Sequence, residues 1–377
     1  AFVLGISEEA LARERDLYRQ ERARELFTEQ AREQWENVAR VARENPEAAL
    51  NVAEITLSRL KTEARAAAGI GLPEPYTMSD LLRDLERTQD GLKTGYKDLD
   101  QYLQIPRGAI SIIAGRPGHG KTTFMLNLIL NMARKNPDKK FYFFSYEEAE
   151  RWLAVKLLMM ACGHVFNPQK NLACYIEYLK GLYPGGPELV IEQARKEVGE
   201  LLSSGRITLI YRNAAADEIA DMVQAFADRG NIGAVFVDYI QKVPATPQGN
   251  GRFTAAYQKI QAASEALRDA AVRADVPLIM GAQFRRTDST DKKAVLRLDN
   301  LRESGDIEQD ANIVLGIYNK TAADLEESLN TSWVESITPD QVDINVAILK
   351  NRSGAAGKEI TLSFRPQVLQ IKDHDHF

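Results

Sequence analysis

Gly115, Arg116, Pro117, Gly118, His119, Gly120, Lys121 and Thr122 stand in the order of a phosphate-binding loop: a glycine, four residues, then Gly-Lys-Thr. Each residue type has a task there. Glycines at Gly115, Gly118 and Gly120 let main-chain N–H groups turn inward around phosphates, and a helix starting at the end of the loop aims its N-terminus at the same charge. Lys121 is placed to reach the β- and γ-phosphates. Thr122 offers a hydroxyl to Mg²⁺, with Thr123 next to it in the same nucleotide-binding turn. The apolar run 109–114 and the helical stretch 122–135 supply the strand–loop–helix frame that the pattern requires. The chemistry expected is nucleoside triphosphate binding with Mg²⁺. His119 occupies a variable position of the loop and carries no assigned catalytic role.

Hydrolysis needs two further groups. A carboxylate that holds the metal's water shell should end a neighbouring strand, and Asp238 closes the run 233–238 in that way. A general base must activate the attacking water. The apolar run 141–146 ends in Glu147 and Glu148, and in open α/β sheets ligands gather at the carboxyl ends of strands. Spacing does not choose between the two acids. Cys162 and Cys174 have no CxxC spacing and read as reduced thiols rather than a metal or redox site. His374 and His376 alternate with acids in a terminal tail and read as a frayed end.

The elements that must hold these groups are legible as short apolar runs at 109–114, 141–146, 207–211, 234–240, 277–282, 313–318, 344–349 and 360–364. Helical stretches such as 122–135 and 258–274 separate most of the earlier ones. Strands alternating with helices imply crossover units and a mostly parallel sheet covered on both faces, an α/β fold. The last three runs lie closer together, which fits an antiparallel edge. Upstream, 7–45 is dense in Glu, Arg and Ala, with Ser7 as a helix cap. Pro46 opens a second helical stretch to 68, so residues 1–68 read as a charged helical hairpin. Residues 69–93 read as a linker, with an amphipathic linker helix within 78–88, and 94–377 as the catalytic domain. No run is long and apolar enough to cross a bilayer, and no signal peptide is evident, so the expected location is cytoplasmic and no membrane partner is expected. A formal net charge of −5 argues against a broad basic face coating DNA, but not against a ring that lines a central channel with Lys and Arg.

Several segments together resemble the DnaB family of replicative helicases. TGYKDLDQYL (94–103) resembles the lead-in to the loop strand, FSYEE the strand bearing the family's catalytic glutamate, VFVDYIQ (235–241) the Asp-bearing strand, and IMGAQFRR (279–286) the strand that ends in a γ-phosphate-sensing glutamine. LRESGDIEQDANIVLGIYN (301–319) is similar along its whole length to the DNA-contacting loop and the strand after it. LKNRSGAAGKEITLSF (349–364) resembles a hairpin whose Lys-x-Arg enters the next subunit's ATP site.

The resemblance implies a RecA-like P-loop NTPase core that binds ATP and Mg²⁺ and works as a homohexameric ring. It favours Glu147 over Glu148 as the base, assigns Gln283 as sensor, and makes Lys350 and Arg352 the cations given to a neighbour. Arg302, Glu303 and Gly305 would grip the backbone of single-stranded DNA, joined by Arg252, with Lys259 nearby, in a pore loop at 244–254. It also implies 5′→3′ travel and, as partners, a helicase loader and primase. The first seventy residues depart from the family's compact collar domain, the part that meets primase, and 163–206 match the family poorly. Two other classes share parts of this pattern: a RecA-like recombination ATPase, against which the 301–319 segment stands, and an ATP-gated DNA-binding or loading scaffold, against which intact Lys121, Glu147 and Arg352 stand.

Overall fold

The computed structural model describes residues 91–167, 170–182, 188–245, 256–284, 296–298, 301, 307–322 and 340–374, with isolated helical positions before residue 91. The chain divides into two compact units, Ala1–Arg83 and Asp84–Phe377. In the first, the described helical positions are scattered: 32, 35–36, 38–43, 52–53, 56, 78–79 and 81–82. An exposed Arg32–Glu36 pair one turn apart supports the earliest of these. The turn that would make a hairpin of them lies outside the described residues.

The second unit is built on one nine-stranded sheet. Its strands are β1 (Ile110–Gly115), β2 (Lys140–Ser145), β3 (Ile207–Tyr211), β4 (Ile232–Asp238), β5 (Leu278–Gln283), β6 (Ile313–Asn319), β7 (Val342–Asn351), β8 (Glu359–Arg365) and β9 (Gln370–Asp373). The spatial order is β3-β2-β4-β5-β1-β6-β7-β8-β9. Pairing is parallel from β3 through β6 and antiparallel from β6 to β9. The expected antiparallel edge of the last three runs is present in β6, β7 and β8, with β6 also pairing parallel with β1 and so joining the two parts. The edge also gains β9, whose four residues are too short to announce a strand by composition.

Alternation along the strands fills two cores. Ile113, Phe141, Phe143 and Phe236 face one side, while Ile112, Ile110, Phe144 and Val237 face the other. Four longer helices connect the early strands: α1 (Lys121–Lys135), α2 (Glu150–Cys162), α3 (Asn171–Leu179) and α4 (Glu188–Ser203). Of these, α1, α2 and α4 cover the first side, with Phe124, Leu128, Leu153, Leu157, Val198 and Leu201 buried. The second side is covered by α5 (Ala216–Asp228) and α6 (Ala256–Ala274) through Ile219, Val223, Ala263 and Leu267. A sheet buried on both faces explains why its strands read as unbroken apolar runs. A short α7 (Ile307–Asp310) leads into β6.

Candidate active site

The carboxyl ends of β1, β2, β4 and β5 lie side by side, with Gly115 opposite Gln283 and Ser145 opposite Asp238. The loop after β1 rises into α1 through Gly120, which caps the helix at φ +90°, a conformation that side-chain-bearing residues adopt at a cost. At Gly115 a Cβ would stand 3.1 Å from the Ile317 carbonyl oxygen and 3.3 Å from Lys121 Cγ, so a side chain there would crowd the end of β6 and the Lys121 stem. Lys121 is buried, and its Nζ donates to the Arg116 carbonyl at 2.9 Å. Burial lowers its pKa to about 8, against the opposing pull of Asp238 and then Glu147. A triphosphate would bring further negative charge to this desolvated ammonium and hold it protonated.

The metal corner is equally built. Thr122 Oγ1 donates to Asp238 Oδ2 at 2.6 Å, which joins two hard oxygen donors from β4 and α1. Asp238 is buried; desolvation raises its pKa, while Thr122 and Lys121 pull it back down. Two oxygens at the mouth of a phosphate loop suit Mg²⁺, which keeps most of its waters and takes one or two protein ligands plus phosphate oxygens.

The two acids after β2 separate cleanly in space. Glu148 is paired with Lys156 of α2, whose Nζ lies 2.5 and 2.6 Å from its two carboxylate oxygens. Glu147 has no such close lysine; it meets the Tyr239 phenol through a side-chain hydrogen bond and lies within electrostatic reach of Lys121 and Asp238. Tyr239 is a further residue at this corner, one that the sequence does not single out. Burial raises its phenol above the ordinary pKa, with Glu147 adding to the shift and a hydrogen bond to Gln283 opposing it, so the phenol stands between candidate base and candidate sensor. Gln283 is also held at its main chain. Its N–H donates to Gln241 Oε1 and its carbonyl accepts from Gln241 Nε2, both at 3.3 Å.

The sequence profile of the DnaB-like helicase C terminal domain matches residues 91–180 and 185–373. The chain belongs to that family. The profile runs through 163–206 apart from 181–184, a stretch where the sequence by itself shows little likeness. Similar proteins include the replicative DNA helicase DnaB of Mycoplasma pneumoniae, 29% identical over 77% of this chain and 58% of the relative. That of Rickettsia felis is 24% identical over 81% and 63%. A probable plasmid replicative DNA helicase of Chlamydia psittaci is 28% identical over 61% and 47%. The chain thus spans about half to three-fifths of the length of these relatives. Among solved structures, a chain from the structure of a DnaB-like replicative helicase and its interactions with primase shares the fold. It gives a TM-score of 0.64 at 21% identity, covering 90% of this chain and 76% of its own. A second solved chain, an isolated ATPase domain, gives 0.63 at 22% identity, with coverage of 80% of this chain and 99% of that one.

In this DnaB-like domain Lys350 and Arg352 are not gathered at the phosphate loop. Ile344, the near neighbour of Gly120, begins the stretch of β7 that leads away from the site. Lys350 stands six residues further along that strand, about 20 Å away at the rise of an extended strand. There the Lys350 ammonium donates to the carbonyls of Glu308 and Gln309, and Arg352 donates to the Gln309 carbonyl at the end of α7. Arg252, Arg302, Glu303 and Gly305 lie outside the described residues. Among the described residues no helix is long and apolar enough to cross a membrane.

Proposed function

We propose that this chain is the motor of a replicative DNA helicase that hydrolyses ATP at the interfaces of a homohexameric ring and moves on single-stranded DNA in the cytoplasm. The observation that carries the reading is an asymmetry. One end of the sheet holds a phosphate cradle, a metal corner and a base. The two cations that would complete the chemistry sit about 20 Å away at the opposite end, out of reach of their own chain's loop.

The loop glycines and the α1 N-terminus hold the phosphates, and Lys121 spans the β- and γ-groups. Thr122 and Asp238 would hold Mg²⁺, which when bound neutralises charge on the phosphate oxygens. Glu147 accepts the proton of the attacking water at its carboxylate, while the Gln283 amide reports the γ-phosphate to the loops after β4 and β5. Arg352, with Lys350, comes from the neighbouring subunit and stabilises charge that develops during transfer. Arg252, Arg302, Glu303 and Gly305 contact the DNA backbone without reading sequence. A loader and primase are further partners of such a ring, as the replicative role of the relatives suggests.

The test is unwinding of a forked duplex with ATP and Mg²⁺. Lys121→Ala and Arg352→Ala should each lower DNA-stimulated turnover by at least about 100-fold, the scale of losing one preorganised charge donor. Protein that binds ATP and never separates strands would overturn the helicase reading.

A further inference from the structure

Glu147 and Glu148 follow the same strand but have different counter-ions. Lys156 holds both oxygens of Glu148 at hydrogen-bonding distance, with the two side chains only 20% and 32% exposed. Lys242 Nζ stands 3.9 Å from Glu147 Oε1, with side chains 51% and 46% exposed. The first pair is committed. The second is too long for a hydrogen bond and open to competing anions.

The lysine is nevertheless held in place by its backbone. It ends a 3-10 turn, Ile240–Lys242, whose Ile240 is buried. Gln241 ties that turn to β5 by two hydrogen bonds with the main chain of Gln283. The Lys242 and Val243 N–H groups close the turn onto the carbonyls of Tyr239 and Ile240 at 3.0 Å. A well-anchored turn therefore presents a half-exposed ammonium to the base, from the segment that follows Asp238.

We propose that Lys242 is a positioning residue, a releasable counter-ion that draws the Glu147 carboxylate away from the attacking water until a phosphodiester backbone takes up its ammonium. The inference rests on Glu147 being the base. Lys121 also feels Glu147 but would be held by the phosphates once nucleotide binds, which leaves Lys242 as the cation beside a carboxylate that also meets the Tyr239 phenol. A DNA strand carries dense negative charge and competes well for a half-exposed lysine. Turnover would then rise when DNA arrives, through a local exchange of ion pairs.

The experiment compares steady-state ATPase of the assembled wild-type protein, Lys242→Met, Lys242→Arg and Glu147→Gln, without DNA and with saturating oligo-dT. Lys242→Met should raise the DNA-free kcat about two- to five-fold, the range an exposed ion pair spans. Its KM for ATP should stay within about twofold of wild type, since the phosphate cradle is untouched. The DNA-saturated rate should be unchanged, so the stimulation ratio falls by the same factor, and Lys242→Arg should restore the wild-type ratio. A Lys242→Met protein with the wild-type basal rate and ratio, or with a lowered basal kcat, overturns the proposal. If Glu147→Gln turns over normally, the assignment of the base fails and takes this inference with it. If Glu147→Gln is inactive and Lys242→Met is silent, only the counter-ion role fails.

Discussion

His119 Nδ1 accepts the main-chain N–H of Asn319 at 3.2 Å, which ties the phosphate loop to the end of β6. The imidazole is fully buried against Tyr318, and burial, then Arg116 and Lys121, lower its pKa to about 4, so it stays neutral. Among the described residues Nε2 finds no hydrogen-bond partner, so the ring is kept for its acceptor nitrogen. His119→Ala would strand the Asn319 N–H in the core and should cost about 1–3 kcal/mol of stability, read as a lower denaturation midpoint at unchanged m-value. An equal midpoint for the two proteins would show that the bond is dispensable. A pattern that marks this position as variable cannot reveal such a role, because the partner lies 200 residues away. The placement of the glycines, Lys121 and Thr122 was legible because it is local to one loop. Spacing alone does not choose between Glu147 and Glu148; the family resemblance favours Glu147, and in space Lys156 claims Glu148 across two turns of chain. Tyr239 was missed for a similar reason: it sits inside the segment that carries Asp238, but what distinguishes it is its placement against β2 and β5.

At the scale of elements, the segment that leads into the sheet is knotted by a carboxylate, beside the Leu92–Ile105 main-chain pair. Asp100 Oδ1 accepts the Thr94 N–H at 2.6 Å and the Thr94 hydroxyl at 2.7 Å, and Oδ2 accepts the Gly95 N–H at 3.1 Å. Thr94 and Tyr96 are buried around this knot, and Tyr96 stacks on Phe124 of α1. Asp100→Ala should therefore destabilise the domain by about 1.5–3 kcal/mol, the worth of hydrogen bonds to a charged group. Urea unfolding of the two proteins measures this, and a difference below about 0.5 kcal/mol would show that the knot is redundant. The parallel order of the sheet was readable from alternating apolar runs and helices, because strands buried on both faces advertise themselves as continuous hydrophobicity. Its far edge was less readable. The parallel pairing of β6 with β1 depends on which neighbour the chain returns to, and β9 is a four-residue strand whose pairing with β8 only the fold supplies.

For the whole molecule, the separation of Lys350 and Arg352 from their own phosphate loop would, on the proposed function, make a subunit interface the unit of catalysis. In the isolated chain both cations rest on the carbonyls that end α7, and Arg268 and Ser264 of α6 hold Asp310 of that helix. Repeating one chain around a ring presents each phosphate loop to the opposite face of the next copy, a head-to-tail contact that closes by rotation. Each interface then needs Lys121 from one subunit and Arg352 from the other. Lys121→Ala and Arg352→Ala proteins should be inactive alone, yet when co-assembled one to one they should complement. With random mixing, about one interface in four pairs an intact loop with an intact cation, so turnover should recover to about a quarter of wild type if interfaces act independently, and to less if they fire in a strict sequence. Turnover of the mixture is read against each variant alone at the same total concentration. A mixture no faster than the average of its parts, or an Arg352→Ala protein at full speed in dilute solution, would place the completing charge within a single chain, where a strand about 20 Å long now separates it from the phosphates.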